Sequence, residues 1–274
     1  MIKKILVPID FSECSKNALR SVIPMARRMN AELLLLNVFS VLSAVSETGA
    51  EMYHELADEK EREIKDDFQQ LIEDFPELSD VEFSYVLRQN YVPDAISQVI
   101  SDKEIDLVVM GTKGASGVEE VLMGSNAYHV IKNTQVPIIA LPDGSQLNHI
   151  KSIALASDYK KMEDPRVLEP ITAMAHLFGA EIHILHFSDG EHISGEEAWE
   201  ARKLEKYLKR FQHSFHFIVE KDVEEGINNY LEKHGIGMLA IIPRKHNLLD
   251  KLFKKSWTRK LTCHTKIPLM AIHE

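Results

Sequence analysis

The chain has 274 residues, of which 45% are hydrophobic and 27% are charged, a composition typical of a globular protein with room for two domains. The formal net charge of −10 argues against a protein that binds nucleic acid broadly. The two cysteines show no disulfide or CxxC spacing, and no apolar run approaches the roughly 20 residues of a membrane-spanning helix, so we expect a cytoplasmic protein with reduced thiols and no membrane partner.

The first half of the chain alternates strand and helix patterns. An apolar strand over 2–9 is followed by a helix pattern in which Ser12 or Ser15 is the candidate cap and Pro24 predicts a kink or a break. The patterns that follow predict helices over 50–74, 93–101 and about 125–132, and strands over 31–38, 81–87, 105–110 and 136–141. This alternating order indicates an α/β fold with a parallel sheet and right-handed crossovers.

The second half repeats the pattern of the first. Three pairs of segments match, namely 153–158 with 5–10, 179–185 with 30–36, and 266–271 with 135–140. Similarity spread over the whole length favours an internal duplication over two unrelated domains. We place the first domain at 1–143 and the second at 150–274, with a short linker between them.

The loop that follows the strand over 105–110 carries most of the functional information. Glycines at 111, 114 and 124 allow sharp turns and a close approach of the backbone to a ligand. The loop leaves the carboxyl end of a predicted strand, where open α/β sheets bind ligands, and Ser125 begins a helix whose free N–H groups favour phosphate. On these residues alone, a glycine-rich turn with a serine helix cap is an equally good interpretation.

The same loop resembles the G-x2-G-x9-G-[S/T] nucleotide motif of the universal stress protein family, filled here by Gly111, Gly114, Gly124 and Ser125. The segments 7–12 and 136–138 also resemble that family, and the resemblance extends over both halves. It implies a tandem protein with two open, parallel, five-stranded sheets flanked by helices, which is a Rossmann-like, adenine nucleotide alpha-hydrolase-like fold. It also implies ATP as the ligand, with ADP or AMP left open and Mg²⁺ held through the phosphates.

The resemblance assigns roles to individual residues. Asp10 is implied to lie beside the ribose and the phosphates, although a helix cap at the strand end is the alternative for this residue. Ile9 and Val38 are implied to border the adenine, and Val38 also fits a plain core position. Met110, Gly111 and Gly114 are implied to shape the loop around the ribose and phosphates, although Met110 also fits a plain core position. The other implied ligand-binding residues are Pro8, and Gly124, Ser125 and Asn126 at the phosphate tail.

The second half has lost the loop motif. Aligning the last strands of the two halves places Ile242, Lys245 and Lys255 at the positions of the three glycines, although Asp158 matches Asp10. We therefore predict that the second domain does not bind ATP in the manner of the family. The basic segment 244–260 either docks an anionic ligand or partner, or is a solvated surface that balances the acidic first half.

The function predicted from these patterns is that of an ATP-binding stress or regulatory protein rather than a dedicated enzyme, with a regulatory protein as partner. The alternatives are a slow ATPase or phosphotransferase, and a module that binds another anionic metabolite through the second domain. The apolar last strands, 136–141 and 267–272, need covering, and the resemblance implies that they pair the halves as a pseudo-dimer, with further dimerisation left open.

Histidine and cysteine are two further residue types that can carry chemistry in this sequence. His183 and His186, and likewise His213 and His216, are three apart in predicted strands and so face opposite sides, which does not favour a zinc site. Cys14 stands near a predicted helix start, where its pKa could be lowered; a small buried thiol is the alternative.

Overall fold

Strands from both halves of the chain line up in one mixed sheet. A computed structural model describes residues 2–41, 50–113, 124–157, 159, 162, 164–188, 194–220, 223–242 and 266–273. The strands of the first half are β1 (Lys4–Pro8), β2 (Glu32–Phe39), β3 (Phe83–Gln89), β4 (Leu107–Gly111) and β5 (Ile138–Leu141). Those of the second half are β6 (Ser152–Ser157), β7 (Glu181–Ser188), β8 (His213–Val219), β9 (Met238–Ile241) and β10 (Leu269–Ala271).

The sheet has the strand order β3-β2-β1-β4-β5-β10-β9-β6-β7-β8. Neighbouring strands within each half are parallel, and β5 and β10 are antiparallel to each other. Their ladder is centred on Ile139 and Met270, which occupy corresponding positions in the two halves. The two five-stranded halves are therefore related by an approximate twofold axis and share one continuous sheet.

Helices cover both faces of this sheet. The helices are α1 (Glu13–Met29), α2 (Ala50–Asp74), α3 (Val92–Lys103), α4 (Ser125–Asn133), α5 (Glu169–Phe178), α6 (Gly195–Leu208) and α7 (Val223–His234), with 3-10 turns over Pro76–Asp80 and Pro165–Leu168. Helices α1, α2, α5 and α6 contribute to the apolar layer on one face, and α3, α4 and α7 contribute to the layer on the other. Among the residues that the structure describes, no helix is long and apolar enough to cross a membrane.

Helix α1 continues through Pro24, so the break considered from the sequence does not occur. Ser12 caps the helix, because its hydroxyl accepts the N–H of Ser15, and the helix ends at Asn30 in a left-handed conformation. Pro24 lies on the exposed side, so the carbonyl that loses its helical hydrogen bond is close to solvent. The buried stripe that includes Leu19 and Val22 holds the helix against the sheet on either side of the proline.

The linker between the halves is packed rather than loose. Leu147 and Ile150 are buried, and the side-chain amide of Asn17 in α1 donates a 2.7 Å hydrogen bond to the carbonyl of Ser145. The glycine at 237 allows Ile150 to approach, because a Cβ there would lie 3.2 Å from the Ile150 Cα. These contacts, together with the β5–β10 ladder, join the two halves through both covalent and non-covalent links.

The α/β class with a mostly parallel sheet is confirmed, and the predicted order of elements agrees with the structure. The acidic helix over 50–74 has the predicted bounds. Several strands begin two or three residues later than predicted, as with β5 at Ile138 and β10 at Leu269. In both cases an X-Pro pair precedes the strand, and a proline has no N–H to donate to a ladder.

Candidate functional site

The candidate site lies in the first half at the carboxyl ends of three neighbouring strands. Strand β1 pairs with β2 on one side and with β4 on the other, so the chain connections leave β1 in opposite directions. Open α/β sheets form a crevice at such a point. The start of α4 and the start of α1 flank this crevice.

Nine of the ten residues predicted as ligand-binding line this one cleft. They are Pro8, Ile9, Asp10, Val38, Met110, Gly111, Gly124, Ser125 and Asn126. The tenth, Gly114, lies outside the described residues, as do Asp158 and the basic segment 244–260. The structure thus brings together residues from four separate segments that we assigned to one site from the sequence. Their contact with a ligand stays a prediction.

Six further residues line the cleft and were not predicted to do so. They are Ser15, Leu36, Val92, Thr112, Lys113 and Ala127. Thr112 and Lys113 directly follow Gly111, so their place in the loop was the available signal. Val92 begins α3 and reaches the cleft only through the sheet topology, for which the sequence carries no local signal.

Asp10 is held by the start of α1. One carboxylate oxygen of Asp10 accepts the Ser12 N–H at 3.1 Å and the Ser12 hydroxyl at 2.5 Å, and the Ser12 hydroxyl oxygen in turn accepts the Ser15 N–H at 3.3 Å. The next residue, Phe11, has a left-handed backbone with φ of 61°. Asp10 therefore takes part in the hydrogen-bond network that caps α1, and it also lines the cleft. A capping role and a ligand-binding role are thus compatible for this residue.

The amino end of α4 presents backbone donors to the cleft. Its cap is Gly124, which makes no side-chain cap hydrogen bond, and the first turn contains no acidic residue. The first N–H groups of a helix have no intrahelical acceptor, and the helix dipole places positive potential there. Since Ser125, Asn126 and Ala127 all line the cleft, this end is suited to an anion such as a phosphate group.

The two ends of the glycine loop are tied together. The N–H of Gly124 donates a 2.6 Å hydrogen bond to the carbonyl of Thr112, and the Thr112 N–H donates to the carbonyl of Leu141 at 2.9 Å. A Cβ on residue 124 would lie 3.2 Å from the Thr112 carbonyl oxygen. Glycine at 124 therefore eases the close approach of two backbone segments, whereas its φ of −68° is open to any residue.

Gly111 is required by packing inside the protein. A Cβ at this position would lie 2.7 Å from the Cys14 sulfur and 2.9 Å from the Cys14 carbonyl oxygen. The sequence-based reason for this glycine was a close approach to a ligand, whereas the structure shows its open side filled by the start of α1. The glycine brings α1 and β4 close enough to form the wall of the cleft.

The idea that the helix start lowers the pKa of Cys14 is wrong. Cys14 is buried, and burial raises the pKa of its thiol, with the backbone groups of Lys113 and Thr112 opposing the rise. Its sulfur lies 3.9 Å from the carbonyl oxygen of Leu141. A buried thiol with a raised pKa is a packing group rather than a reactive thiolate.

The cleft changes character along the sheet edge. The part near β2 is apolar, with Leu36, Val38 and Val92, whereas the part near β4 carries Lys113 and the amino end of α4. At this polar end, the buried hydroxyl of Thr112 has no hydrogen-bond partner within the part of the chain that the structure describes. A nucleotide, with a flat apolar base and a charged phosphate tail, matches this division, so the residues present fit such a ligand.

The corresponding region of the second half is built differently. Ile242, at the position of Gly111, is buried in the apolar layer to which α1 and α5 contribute. Met162, at the position of Cys14, lies in non-helical chain, because α5 begins only at Glu169 after a 3-10 turn. In the first half, the start of α1 contacts Gly111 and the two form a wall of the cleft. In the second half, the helix starts later and a large side chain takes the place of the glycine.

Histidines of the second half come together in a way that spacing alone did not reveal. His183 on β7 stacks against His216 on β8 with ring centroids 5.1 Å apart, and His234 and Tyr230 of α7 complete this histidine cluster. The Tyr230 hydroxyl lies 2.8 Å from Nδ1 of His183. Among the described residues, no group of three or more His, Cys, Asp or Glu side chains is arranged to hold a metal ion.

The histidine cluster is expected to make folding stability depend on pH. Burial is the main cause that lowers the pKa of His183 and of His216, and Glu181 opposes it in both. Unfolded histidine titrates near pH ~6.5, so below that pH the unfolded chain binds more protons than the folded protein. We expect stability to fall as the pH drops below about 6.5, by less than about 1 kcal/mol because the cluster is partly exposed.

Urea unfolding of the wild type and of a His183→Phe/His216→Phe variant at neutral and mildly acidic pH measures this effect. The double variant is expected to lose less stability on acidification than the wild type. His176→Phe, at an exposed histidine outside the cluster, serves as the control. Equal acid sensitivity in the wild type and the double variant would contradict the prediction.

Comparison with known proteins agrees with the fold. The model of the universal stress protein family matches residues 1–142. Universal stress protein MJ0531 of Methanocaldococcus jannaschii is 30% identical over 144 residues, which cover 52% of this chain and 82% of the relative. Universal stress protein MJ0577 of the same organism is 29% identical over 157 residues, which cover 52% of this chain and 95% of the relative.

A solved structure extends the likeness to both halves. The universal stress protein from Archaeoglobus fulgidus DSM 4304 is 19% identical, covers 98% of this chain and 97% of its own, and superposes with a TM-score of 0.74, which shows a shared fold. The fold is that of a tandem α/β protein whose first half has a crevice at the carboxyl ends of its strands. The chain belongs to the universal stress protein family, and its two halves fit the tandem type.

Proposed function

We propose that the first half binds one molecule of ATP and that the protein acts in the cytoplasm as a nucleotide-binding regulator of a stress response. The observation that carries this proposal is the amino end of α4, which opens into the cleft and which, among the described residues, has no side-chain cap and no acidic residue in its first turn. Family membership and the loop motif support the same proposal. The absence of a disulfide spacing between the two cysteines supports the cytoplasmic setting.

In the proposed complex the adenine lies at the apolar part of the cleft, against Ile9 and Val38. The phosphates lie at the polar part, where the N–H groups of Ser125 and Asn126 and the ammonium group of Lys113 receive their charge. The hydroxyl of Thr112 is buried and has no hydrogen-bond partner among the described residues, so we propose that it bonds to the ribose or to a phosphate oxygen. Mg²⁺ bound through the phosphates would neutralise part of their charge.

The proposed regulatory role follows from the loop that connects β4 to α4. The two ends of this loop, residues 111–113 and 124–126, also form part of the cleft wall. A bound triphosphate would therefore contact both ends of the loop. A ligand shifts a conformational equilibrium by its differential affinity for the two states. ATP would in this way set the surface that the loop presents to a protein partner.

Isothermal titration calorimetry with ATP and Mg²⁺ tests the proposal on the full chain. We expect a stoichiometry of about one ATP for each chain, since the glycines of the motif are absent from the second half. Lys113→Met tests the proposed phosphate contact. This variant keeps the length of the side chain, removes its charge, and is expected to weaken binding by about tenfold.

Two results of that titration would overturn parts of the proposal. No binding at millimolar ATP would remove the nucleotide function altogether. Two equivalents for each chain would show that the second half binds ATP despite Ile242, Lys245 and Lys255 at the glycine positions.

A further inference from the structure

The chain end of the second half contacts the helix that bears the candidate phosphate site. Nε2 of His273 lies 2.6 Å from the carbonyl oxygen of Ile131, which belongs to α4. His273 follows β10, and the antiparallel register of β10 with β5 carries it past Ile138 to the corner where α4 ends and β5 begins. A residue of the second half therefore closes the carboxyl end of a helix of the first half.

The chemistry of this contact is determined by its acceptor. A carbonyl oxygen only accepts hydrogen bonds, so Nε2 of His273 carries the proton and donates it. Burial lowers the pKa of His273, which favours the neutral ring with one N–H. Helix α4 ends at Asn133, so the carbonyl of Ile131 has no donor within the helix and His273 supplies one.

The two ends of α4 are close enough for this contact to matter at the cleft. Ile131 is six residues from Ser125, which at 1.5 Å for each residue is about 9 Å along the helix axis. The buried side of α4, with Val130 and Ile131, shares an apolar layer with Leu269 and Ala271 of β10. The second half thus contacts α4 by a side-chain hydrogen bond at its carboxyl end, and the two belong to the same apolar layer.

The contact is asymmetric between the halves. Pro142 occupies the position of His273 in the first half, and proline has no side-chain donor. At this pair of matching positions, a side-chain donor therefore follows β10 and none follows β5. We infer that the second half positions the phosphate-binding helix of the first half, with His273 as the anchoring residue. This inference rests on the proposed nucleotide function and names what orients its site.

The test compares leucine and glutamine at position 273. His273→Leu removes the donor, and His273→Gln keeps an N–H close to the place of Nε2. We expect His273→Leu to speed hydrogen–deuterium exchange of the α4 amides, from Tyr128 to Thr134, and to weaken ATP binding about threefold to tenfold, as for the loss of one hydrogen bond. His273→Gln is expected to restore both quantities towards the wild type.

A second contact between the halves provides the matched control. The guanidinium of Arg28 in α1 donates to the carbonyl of Leu177 in α5, away from α4. Arg28→Gln is expected to leave both exchange in α4 and ATP affinity unchanged. If Arg28→Gln acts like His273→Leu, the effect is a general loosening of the halves and the inference is wrong.

The remaining outcomes also decide the question. Unchanged exchange in His273→Leu, or glutamine as damaging as leucine, overturns the inference. Should the leucine variant fail to fold, glutamine is compared with His273→Asn, whose shorter amide does not reach Ile131 and which is expected to behave as the donor-free variant. If the wild type binds no ATP, the proposed function fails, while the exchange data still show whether His273 anchors α4.

Discussion

Replacing Ser125 by aspartate is expected to weaken ATP binding by about 100-fold or more while leaving the protein at least as stable as the wild type. Ser125 is the first residue of α4, is exposed, and lines the cleft. An added carboxylate would lie at the point where the phosphates are proposed to bind. The same carboxylate interacts favourably with the helix dipole, so affinity and stability should change in opposite directions.

The magnitude follows from electrostatics at the rim of a cleft. Two like charges about 4 Å apart near a protein surface repel by roughly 4 kcal/mol, and each 1.4 kcal/mol is about tenfold in affinity. Solvent screening reduces this figure, which is why we expect about 100-fold rather than more. An anion in the first turn of a helix is worth about 0.3–1 kcal/mol of stability.

Ser125→Asn is the matched control, because asparagine has nearly the same shape as aspartate and no charge. It is expected to weaken ATP binding far less than aspartate does. Calorimetry gives the two affinities and thermal unfolding without nucleotide gives the two stabilities. If asparagine and aspartate weaken binding equally, the loss is steric, and the amino end of α4 does not act through its charge.

Replacing Gly111 by alanine is expected to destabilise the protein by about 2–3 kcal/mol, which is the upper range for forcing one extra methyl group into a packed site. The new Cβ would lie 2.7 Å from the Cys14 sulfur, 2.9 Å from its carbonyl oxygen and 3.0 Å from its carbonyl carbon. A side chain can turn away, but the backbone of Cys14 belongs to α1 and cannot move alone. Urea unfolding measures the change.

Two controls separate the sources of this loss. In Gly195→Ala the Cβ meets nothing within 4 Å at the first turn of α6, so stability should stay the same or rise slightly. Cys14→Ala combined with Gly111→Ala should recover only part of the loss, since the carbonyl group of residue 14 remains in place. Full recovery in the double variant would mean that the backbone contact adds nothing to the cost.

The order of elements could be predicted from the sequence because its signals are local. Strand β2 is buried between β1 and β3, so it reads as a continuous apolar run, whereas α2 shows the period of an amphipathic helix over its full length. Glycine and serine at the start of α4 likewise predicted a helix start at Ser125. Such patterns involve residues that are close together in the sequence, so they can be recognised without the structure.

Three contacts that the sequence did not predict join segments that are far apart in the chain. Gly111 is required because of Cys14, which lies in α1, two strands and two α-helices earlier in the chain, and contacts residue 111 only in the folded protein. The stacking of His183 on His216 depends on the register of β7 with β8. The contact of His273 with Ile131 depends on the antiparallel pairing of β5 with β10. None of these is encoded in spacing.

The most direct test is a crystal structure of the full chain grown with a non-hydrolysable ATP analogue and Mg²⁺. The account predicts one nucleotide in the first half, with phosphate oxygens within hydrogen-bond distance of the backbone N–H groups of Ser125 and Asn126 and the base beside Val38. A structure with the analogue bound elsewhere, or with the first-half cleft empty at saturating analogue, would contradict it.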